Sequence, residues 1–464
     1  MAEKGFLING YTHPVDINPF EKKENGTILR KVDAERGRLN LPLFNRHGIK
    51  DRNGVMTCAT CHNPHSRRKS DVKEALSIGA KKGSTTPFLR ENAPAICAEC
   101  HRNKFDIAYT KHNLAKVAPE ERNVLNQTVA ESGLCGSCHL THSAQKSFLW
   151  ARQMSDGSDR FAENLCNGCH YNEGMASKKQ VGPYSHPLGV IPAEKGMTTL
   201  LPLFDSQGDI SATGMMTCYT CHDPHHWDPG KMAKDDPVAM EGSALNSFLR
   251  MKNAPSSKLC GDCHKAQAVI ENTDHDLTVT APQFRNTMGR TGMEAGTCGI
   301  CHLAHNANNL QRLWAVGFGP GEHVMDRMCN SCHSPDGPAA NKIPQISSHP
   351  RENIVNVGRE ISGHTGYFPL FDHDTGEKAV VGNISCPSCH AVHQWNPSVF
   401  EKGKGVKVEG DATNSFLRDK LEDMLCKDCH GDDALFRFKY YHKATARHLG
   451  GVQPNDNKSA NPVK

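Results

Sequence analysis

The stretch MTCATCHNPH, residues 56–65, sets two thiols three positions apart, Cys58 and Cys61, and an imidazole, His62, directly after them; a second imidazole, His65, follows three residues on. The first part of that pattern governs the whole chain. It returns at Cys97/Cys100/His101, Cys135/Cys138/His139, Cys166/Cys169/His170, Cys218/Cys221/His222, Cys260/Cys263/His264, Cys298/Cys301/His302, Cys329/Cys332/His333, Cys386/Cys389/His390 and Cys426/Cys429/His430. All 20 cysteines of the 464 residues are used in these ten motifs. Composition alone predicts about 0.05 occurrences of Cys-x-x-Cys-His in such a chain, so the spacing is chemistry.

Cys-x-x-Cys-His is the attachment sequence of c-type haem. Two thiols at this spacing add across the two vinyl groups on one edge of a porphyrin, and the next residue turns its imidazole to the iron. Zinc ribbons also use paired Cys-x-x-Cys, but they do not need a histidine after every pair. Thioredoxin-like pairs come singly on a βαβ scaffold. The sequence therefore predicts ten covalently attached haems c, with the ten motif histidines as proximal iron ligands.

Composition agrees with an interior that side chains do not fill. Side chains that can fill a core are few: 37% of residues are hydrophobic, Gly not counted, and 6% are aromatic. Near-balanced charge, 54 basic against 50 acidic residues, gives no reason to expect nucleic acid as a partner. No run approaches the ~18 apolar residues of a transmembrane helix. Thioether formation needs reduced thiols on an exported chain, so a periplasmic or extracellular, cell-surface location is expected. The opening MAEKGFLING shows no basic segment followed by an apolar one, and no signal peptide is visible in the sequence.

The motifs recur with a period. Cys58, Cys218 and Cys386 are 160 and 168 residues apart, Cys97, Cys260 and Cys426 are 163 and 166 apart, and Cys135–Cys298 and Cys166–Cys329 are each 163 apart. Flanking text follows: LPLF from Leu41 and Leu201 and FPLF from Phe368, then Phe-Leu-Arg from Phe88, Phe248 and Phe416, and Leu-Trp-Ala around Trp150 and Trp314. This divides the chain into four-haem repeats over 1–178 and 179–341, a two-haem half repeat over 342–452, and a polar tail over 453–464 that cannot bury enough apolar surface to fold. The expected fold is haem-cored: short α-helices, long ordered loops around haems, and little β. Pro119 with Glu120 and Glu121 reads as a first helical turn leading to Cys135, Asp419 with Glu422 as a capping pair before Cys426, and Leu200–Phe204 as a weak strand.

Ten irons need ten second ligands, and 17 histidines remain. His65, His142, His225, His305 and His393 each follow a proximal histidine by three residues; His13, His186 and His349 each precede a proline near a repeat start; His112 and His275 each lie 11 residues after a second-motif histidine. In the half repeat, either His442 or His448 takes the place of His112. His47, His226, His323, His364 and His373 do not recur and read as surface or hydrogen-bonding residues. A histidine three residues past the proximal one is tethered too closely to cross its own haem, so it should ligate the iron of a neighbour. Two imidazoles leave no open coordination position and favour low potentials. Met56 and Met216 recur as well, but before Thr-Cys, where they read as packing against the ring.

These features, Cys-x-x-Cys-His with a further histidine, then Phe-Leu-Arg, then a second motif, resemble the paired-CxxCH multihaem c-type cytochromes. The likeness runs from His13 to about His448, with one departure: Val392 stands where the first two repeats carry proline. It implies bis-His haems in a closely stacked chain that serves periplasmic or extracellular respiration, with redox proteins or extracellular electron acceptors as partners. Some similar cytochromes form filaments in which one subunit lends a histidine to a haem of the next; the surplus candidate ligand and the incomplete third repeat are compatible with such a homo-oligomer. The expected function is electron carriage without a catalytic residue. The alternative is a multihaem oxidoreductase with one open iron acting on a small nitrogen or sulfur substrate. Such enzymes often carry an atypical motif, whereas all ten here end in histidine.

Overall fold

The computed structural model describes residues 10–20, 39–65, 88–91, 94–144, 147–155, 159–226, 248–271, 273–308, 311–343, 354–355, 369–393 and 416–418. The expectations for Cys426, Cys429, His430, His349, His364, His442, His448, Asp419, Glu422 and the 453–464 tail lie outside these residues. The chain divides into two compact units, one drawn from Met1–His264 with Ala304–Asn306, the other from Lys265–Leu303 with Ala307–Lys464.

Helices are short throughout. Among the described residues the longest are Arg102–Tyr109, Val129–Gly136 and Gly292–Gly299, eight residues each. Among the described residues, regular sheet is confined to four two-residue strands of the second unit: Ile354–Val355, Leu370–Phe371, Lys378–Ala379 and Gly382–Asn383, all antiparallel. Elsewhere strands are reduced to isolated bridges. Among the described residues apolar side chains form small clusters, such as Leu140, Ala144 and Ala151 in the first unit and Leu303, Ala307 and Ala315 in the second. Loops, short helices and little sheet are thus what this composition folds into.

A tight hairpin precedes the first motif of each period. Phe204 bridges to Ile210 and Met215, as Phe44 bridges to Lys50 and Val55. The turn is closed by the Asp205 carboxylate, which accepts from the Gln207 and Asp209 amides at 2.9 Å each. Leu200–Phe204 is therefore not a strand. Leu200 is 80% exposed, Phe204 fully buried, and only Phe204 pairs. Pro202 has no amide to donate, and the immediate turn leaves the segment too short to extend. Gly214 lets the hairpin close: a Cβ there would lie 2.6 Å from the Phe204 nitrogen. Gly54 and Gly382 meet Phe44 and Phe371 in the same way.

The helix leading to Cys135 starts later than Pro119. Pro119 and Glu120 lie in a turn, and a tight loop follows in which the Asn123 side chain accepts from the amides of Leu125 and Gln127, both at 3.0 Å. The helix begins after Thr128, whose amide donates to Glu131 at 2.8 Å while its hydroxyl accepts from the Glu131 amide at 3.3 Å. This reciprocal cap satisfies two amides, which the charge of Glu120 and Glu121 cannot do alone. Thr291 and Glu294 repeat it. Each helix then breaks at a glycine, Gly133 (φ 75°) or Gly296 (φ 86°), a conformation that other residues adopt at a cost. The break re-aims the next turn, which carries the cysteines.

Gly214→Ala should destabilise the loaded protein by about 1–3 kcal/mol, because the new methyl overlaps backbone that cannot move aside. Gly317→Ala, where a Cβ meets nothing within 4 Å, should not. Thermal unfolding of the two variants, followed in the visible spectrum, compares them.

Candidate haem-binding centres

Each described motif forms one helical turn that brings the histidine back over the first cysteine. The amides of His62, His101, His139, His170, His222, His264, His302, His333 and His390 donate to the carbonyls of Cys58, Cys97, Cys135, Cys166, Cys218, Cys260, Cys298, Cys329 and Cys386 at 2.8–3.0 Å. Two sulfurs and one imidazole are thereby held in one small rigid arc. Thr57, Thr217 and Ser385 start three of these turns, their amides donating to the hydroxyls of Thr60, Thr220 and Ser388. Cys58 is exposed, whereas the second cysteines of the first, second, fifth and ninth motifs, Cys61, Cys100, Cys221 and Cys389, are half-buried.

The recurring flanks brace the same arc. Leu89, Leu249 and Leu417 bridge to His62, His222 and His390. The amides of Arg90, Arg250 and Arg418 donate to the carbonyls of Cys61, Cys221 and Cys389 at 2.8–2.9 Å, so the second cysteine is pinned identically in all three. The same arginines send Nε to the carbonyls of Ala59, Tyr219 and Pro387 at 2.7–2.8 Å, inside the motif turn. Phe88, Phe248 and Phe416 hold positive φ of 52–58°, strain kept at three matching places. Phe248 sets its ring edge-on to His112 at 4.6 Å, and Phe416 does so to His275 at 4.4 Å. Trp150 and Trp314 bridge to His139 and His302 and lie across their rings.

The motif histidines face other histidines. In the first unit the pairs are His62 with His142, His101 with His13, His139 with His225, His170 with His112, His222 with His305 and His264 with His186; in the second they are His302 with His393 and His333 with His275. Ring centres are 6.0–6.3 Å apart in all eight, while interplanar angles run from 23° to 74°. Rings in direct contact would change their separation with their angle. A constant gap at variable angle is what a spacer of fixed length produces, because each ring can turn about its own bond to that spacer. A metal–imidazole bond of about 2 Å on each side, with the nitrogen ~1 Å from its ring centre, gives a gap of about 6 Å.

Burial favours the neutral form, the one that can ligate, at several of these imidazoles. It pushes His101, His112, His139 and His305 down to about 4 and His275 to about 3, with further lowering from neighbouring histidines. Buried polar atoms without a protein partner recur at matched places: Nδ1 of His112 and His275, and Nε1 of Trp150 and Trp314. Each such group costs about 1–3 kcal/mol if nothing answers it. A porphyrin with carboxylate arms fits these surroundings, and among the described residues no three His, Cys, Asp or Glu are grouped to hold a bare ion.

Consecutive motifs are neighbours. In the first unit the thiols of Cys61 and Cys97, Cys97 and Cys135, Cys138 and Cys169, Cys166 and Cys218, and Cys221 and Cys263 interact; in the second, those of Cys301 and Cys332 and of Cys329 and Cys386 do. Contact order follows chain order. The next step of the row, from Cys389 to the tenth motif at Cys426 and Cys429, reaches outside the described residues. The expected thioether at Cys389 therefore stands on its motif turn and on its hydrogen bond from Arg418.

His65 stands apart from the other candidate ligands. It is exposed, and no imidazole faces it among the described residues. His323 and His373, which do not recur in sequence, face each other at 5.6 Å, with His323 buried and its Nε2 unanswered. Sequence reading also passed over a charged cluster beside the His139–His225 pair. Asp223 accepts from His225 Nδ1 at 3.2 Å and from Arg250 at 3.2 Å, with Lys104 Nζ at 3.6 Å. Burial alone would push the Asp223 carboxyl up, but the His225 hydrogen bond and the charges of Lys104 and Arg250 carry it well below the usual range. The one signal available was that Asp223 breaks the period: Asn63 and Ala391 stand at the matching positions.

No protein-family model matches the chain, and no solved structure matches it. It is similar to the multiheme cytochrome MtrA of Shewanella baltica (strain OS185), 23% identical over 229 residues, which are 47% of this chain. The matched region spans 58% of that relative's length. Among the described residues no helix is long and apolar enough to cross a membrane. Motif turns, facing imidazoles and this likeness together support a multihaem c-type cytochrome.

Proposed function

We propose that the chain is a decahaem electron conduit, binding ten haems c through its twenty motif cysteines and closing each iron between two imidazoles. The observation that carries this reading is the uniform 6.0–6.3 Å gap between facing histidines at unrelated ring angles. The proximal ligands are the motif histidines. The partners opposite them, His142, His13, His225, His112, His305, His186, His393 and His275, are the distal ones; His349 and either His442 or His448 complete the set. The sequence period corresponds to two four-haem repeats and a two-haem half repeat.

Haem bound here supplies one-electron redox chemistry, and the protein supplies placement. Histidines on both sides of an iron would leave no open position for a substrate, which favours a carrier over an oxidoreductase. Motif neighbours in chain order support a row of haems read in the same order within each unit. Tunnelling falls steeply with distance, and about 46 residues per haem leave little insulation between rings. Thioether attachment places the carrier outside the cytoplasmic membrane, with redox proteins or extracellular acceptors as partners.

A second reading concerns assembly. His65 is exposed and faces no imidazole among the described residues, although it has the same motif position as His225 and His393. This supports end-to-end association in which His65 takes the place of His349, His442 or His448 on an iron of another copy, the arrangement of a filament.

Intact mass and the pyridine haemochromogen assay should give ten haems per chain; eight or fewer would contradict the count. His142→Met should raise the potential of one haem, that of Cys58 and Cys61, with nine unchanged in spectropotentiometry. His65→Ala should leave every potential of the single subunit in place and abolish filaments in electron micrographs. Filaments persisting in that variant would end the assembly reading.

A further inference from the structure

We propose that Asp223 is a potential-setting residue: its hydrogen bond from His225 makes that imidazole a stronger iron donor, and so holds the haem of Cys135 and Cys138 below the potential that a carbonyl-bonded histidine would give. The inference rests on the reading above that His139 and His225 share an iron.

Several ligand imidazoles have their outer nitrogen near a backbone carbonyl: His139 at Phe148, His186 at Pro187, His302 at Arg312 and His333 at Lys342. His225 has a carboxylate instead, at 3.2 Å, with its ring 6.0 Å from that of His139. A carboxylate on the outer nitrogen draws the N–H proton toward itself and raises the basicity of the ligating nitrogen. A more basic ligand stabilises ferric over ferrous iron, and such second-shell hydrogen bonds are one of the protein's levers on potential.

The carboxylate is not there to make the turn. Asn63 performs that duty in the first repeat, accepting from the His65 amide at 3.1 Å as Asp223 does from the His225 amide at 3.0 Å. Nor is Arg250 committed to Asp223 for structural reasons. Its Nε anchors the motif turn as Arg90 and Arg418 do, and its contact with Asp223 is additional. Only 7% of the Asp223 side chain is exposed, where an unpaired carboxylate would be costly. Lys104 at 3.6 Å and Arg250 at 3.2 Å offset that cost. One period later, where Ala391 replaces Asp223, Gln267 also replaces Lys104. Carboxylate and counter-cation are present together and lost together. A low-potential centre would then sit third in the row, between the haems of the second and fourth motifs.

The test uses the fully loaded protein. Asp223→Asn keeps the turn and removes the carboxylate. In spectropotentiometry one haem of the ten should move to a more positive potential, by about tenfold in ferric preference, or about 59 mV for one electron. The low-spin EPR signal of that haem should change with it. Unmoved potentials overturn the proposal. A moved potential with an unchanged EPR signal also overturns it, since charge acting through space would do that without a hydrogen bond. His225→Gly separates the two levels. If it leaves every bis-imidazole signal intact, the ligand reading has failed; if it removes one signal that Asp223→Asn did not alter, only this inference has. Should Asp223→Asn not load its haems, Ala391→Asp places a carboxylate two residues before His393. One haem should then shift negative, and no shift would refute the mechanism.

Discussion

The distance between two imidazoles sharing a metal is set by bond lengths, not by packing. Eight histidine pairs keep a separation of that size, 6.0–6.3 Å, although their rings are turned by anything from 23° to 74°. On the proposed ligand reading, the rest of the fold adapts to that constraint. Glycines at Gly133 and Gly296 break helices so that the cysteine turn is aimed correctly, and Phe248 and Phe416 accept positive φ while their rings lie against a facing histidine. A fold organised by side-chain packing would spend its strain elsewhere.

The pairs are also the long-range contacts that a small apolar core cannot supply. His13 reaches His101, His142 reaches back to His62, and His225 to His139. Each pair fastens segments tens of residues apart, and the clusters beside them amount to a leucine and two alanines. With so little apolar surface available to offset chain entropy, order in the loops would, on the proposed reading, depend on the haems between the imidazoles. Buried donors left unanswered by the polypeptide, such as Nε1 of Trp150 and Trp314, mark the same dependence.

Periodicity supplies the common frame, and departures from it supply individuality. The Phe-Leu-Arg segment is used identically at Arg90, Arg250 and Arg418, down to the carbonyls of Cys61, Cys221 and Cys389 that it holds. The residue two before the trailing histidine is not: Asn63, Asp223 and Ala391 give three different electrostatic surroundings to one backbone geometry. A row of chemically identical groups can in this way carry unequal potentials without any change of fold.

The amino-acid sequence by itself determined the attachment chemistry, the period and the shortage of core, because these depend on covalent spacing and composition. Cys-x-x-Cys-His needs one helical turn, which local hydrogen bonding supplies at every described motif. Which histidine faces which was beyond it: His65, His225 and His393 are equivalent in spacing, yet His65 is exposed and faces no imidazole among the described residues. The helix start at Thr128 rather than Pro119, the reduction of Leu200–Phe204 to one bridge, and the approach of Lys104 to Asp223 were likewise decided in three dimensions. Local propensity cannot weigh a reciprocal cap against a lone charge, and no spacing rule brings together residues 119 positions apart in the chain.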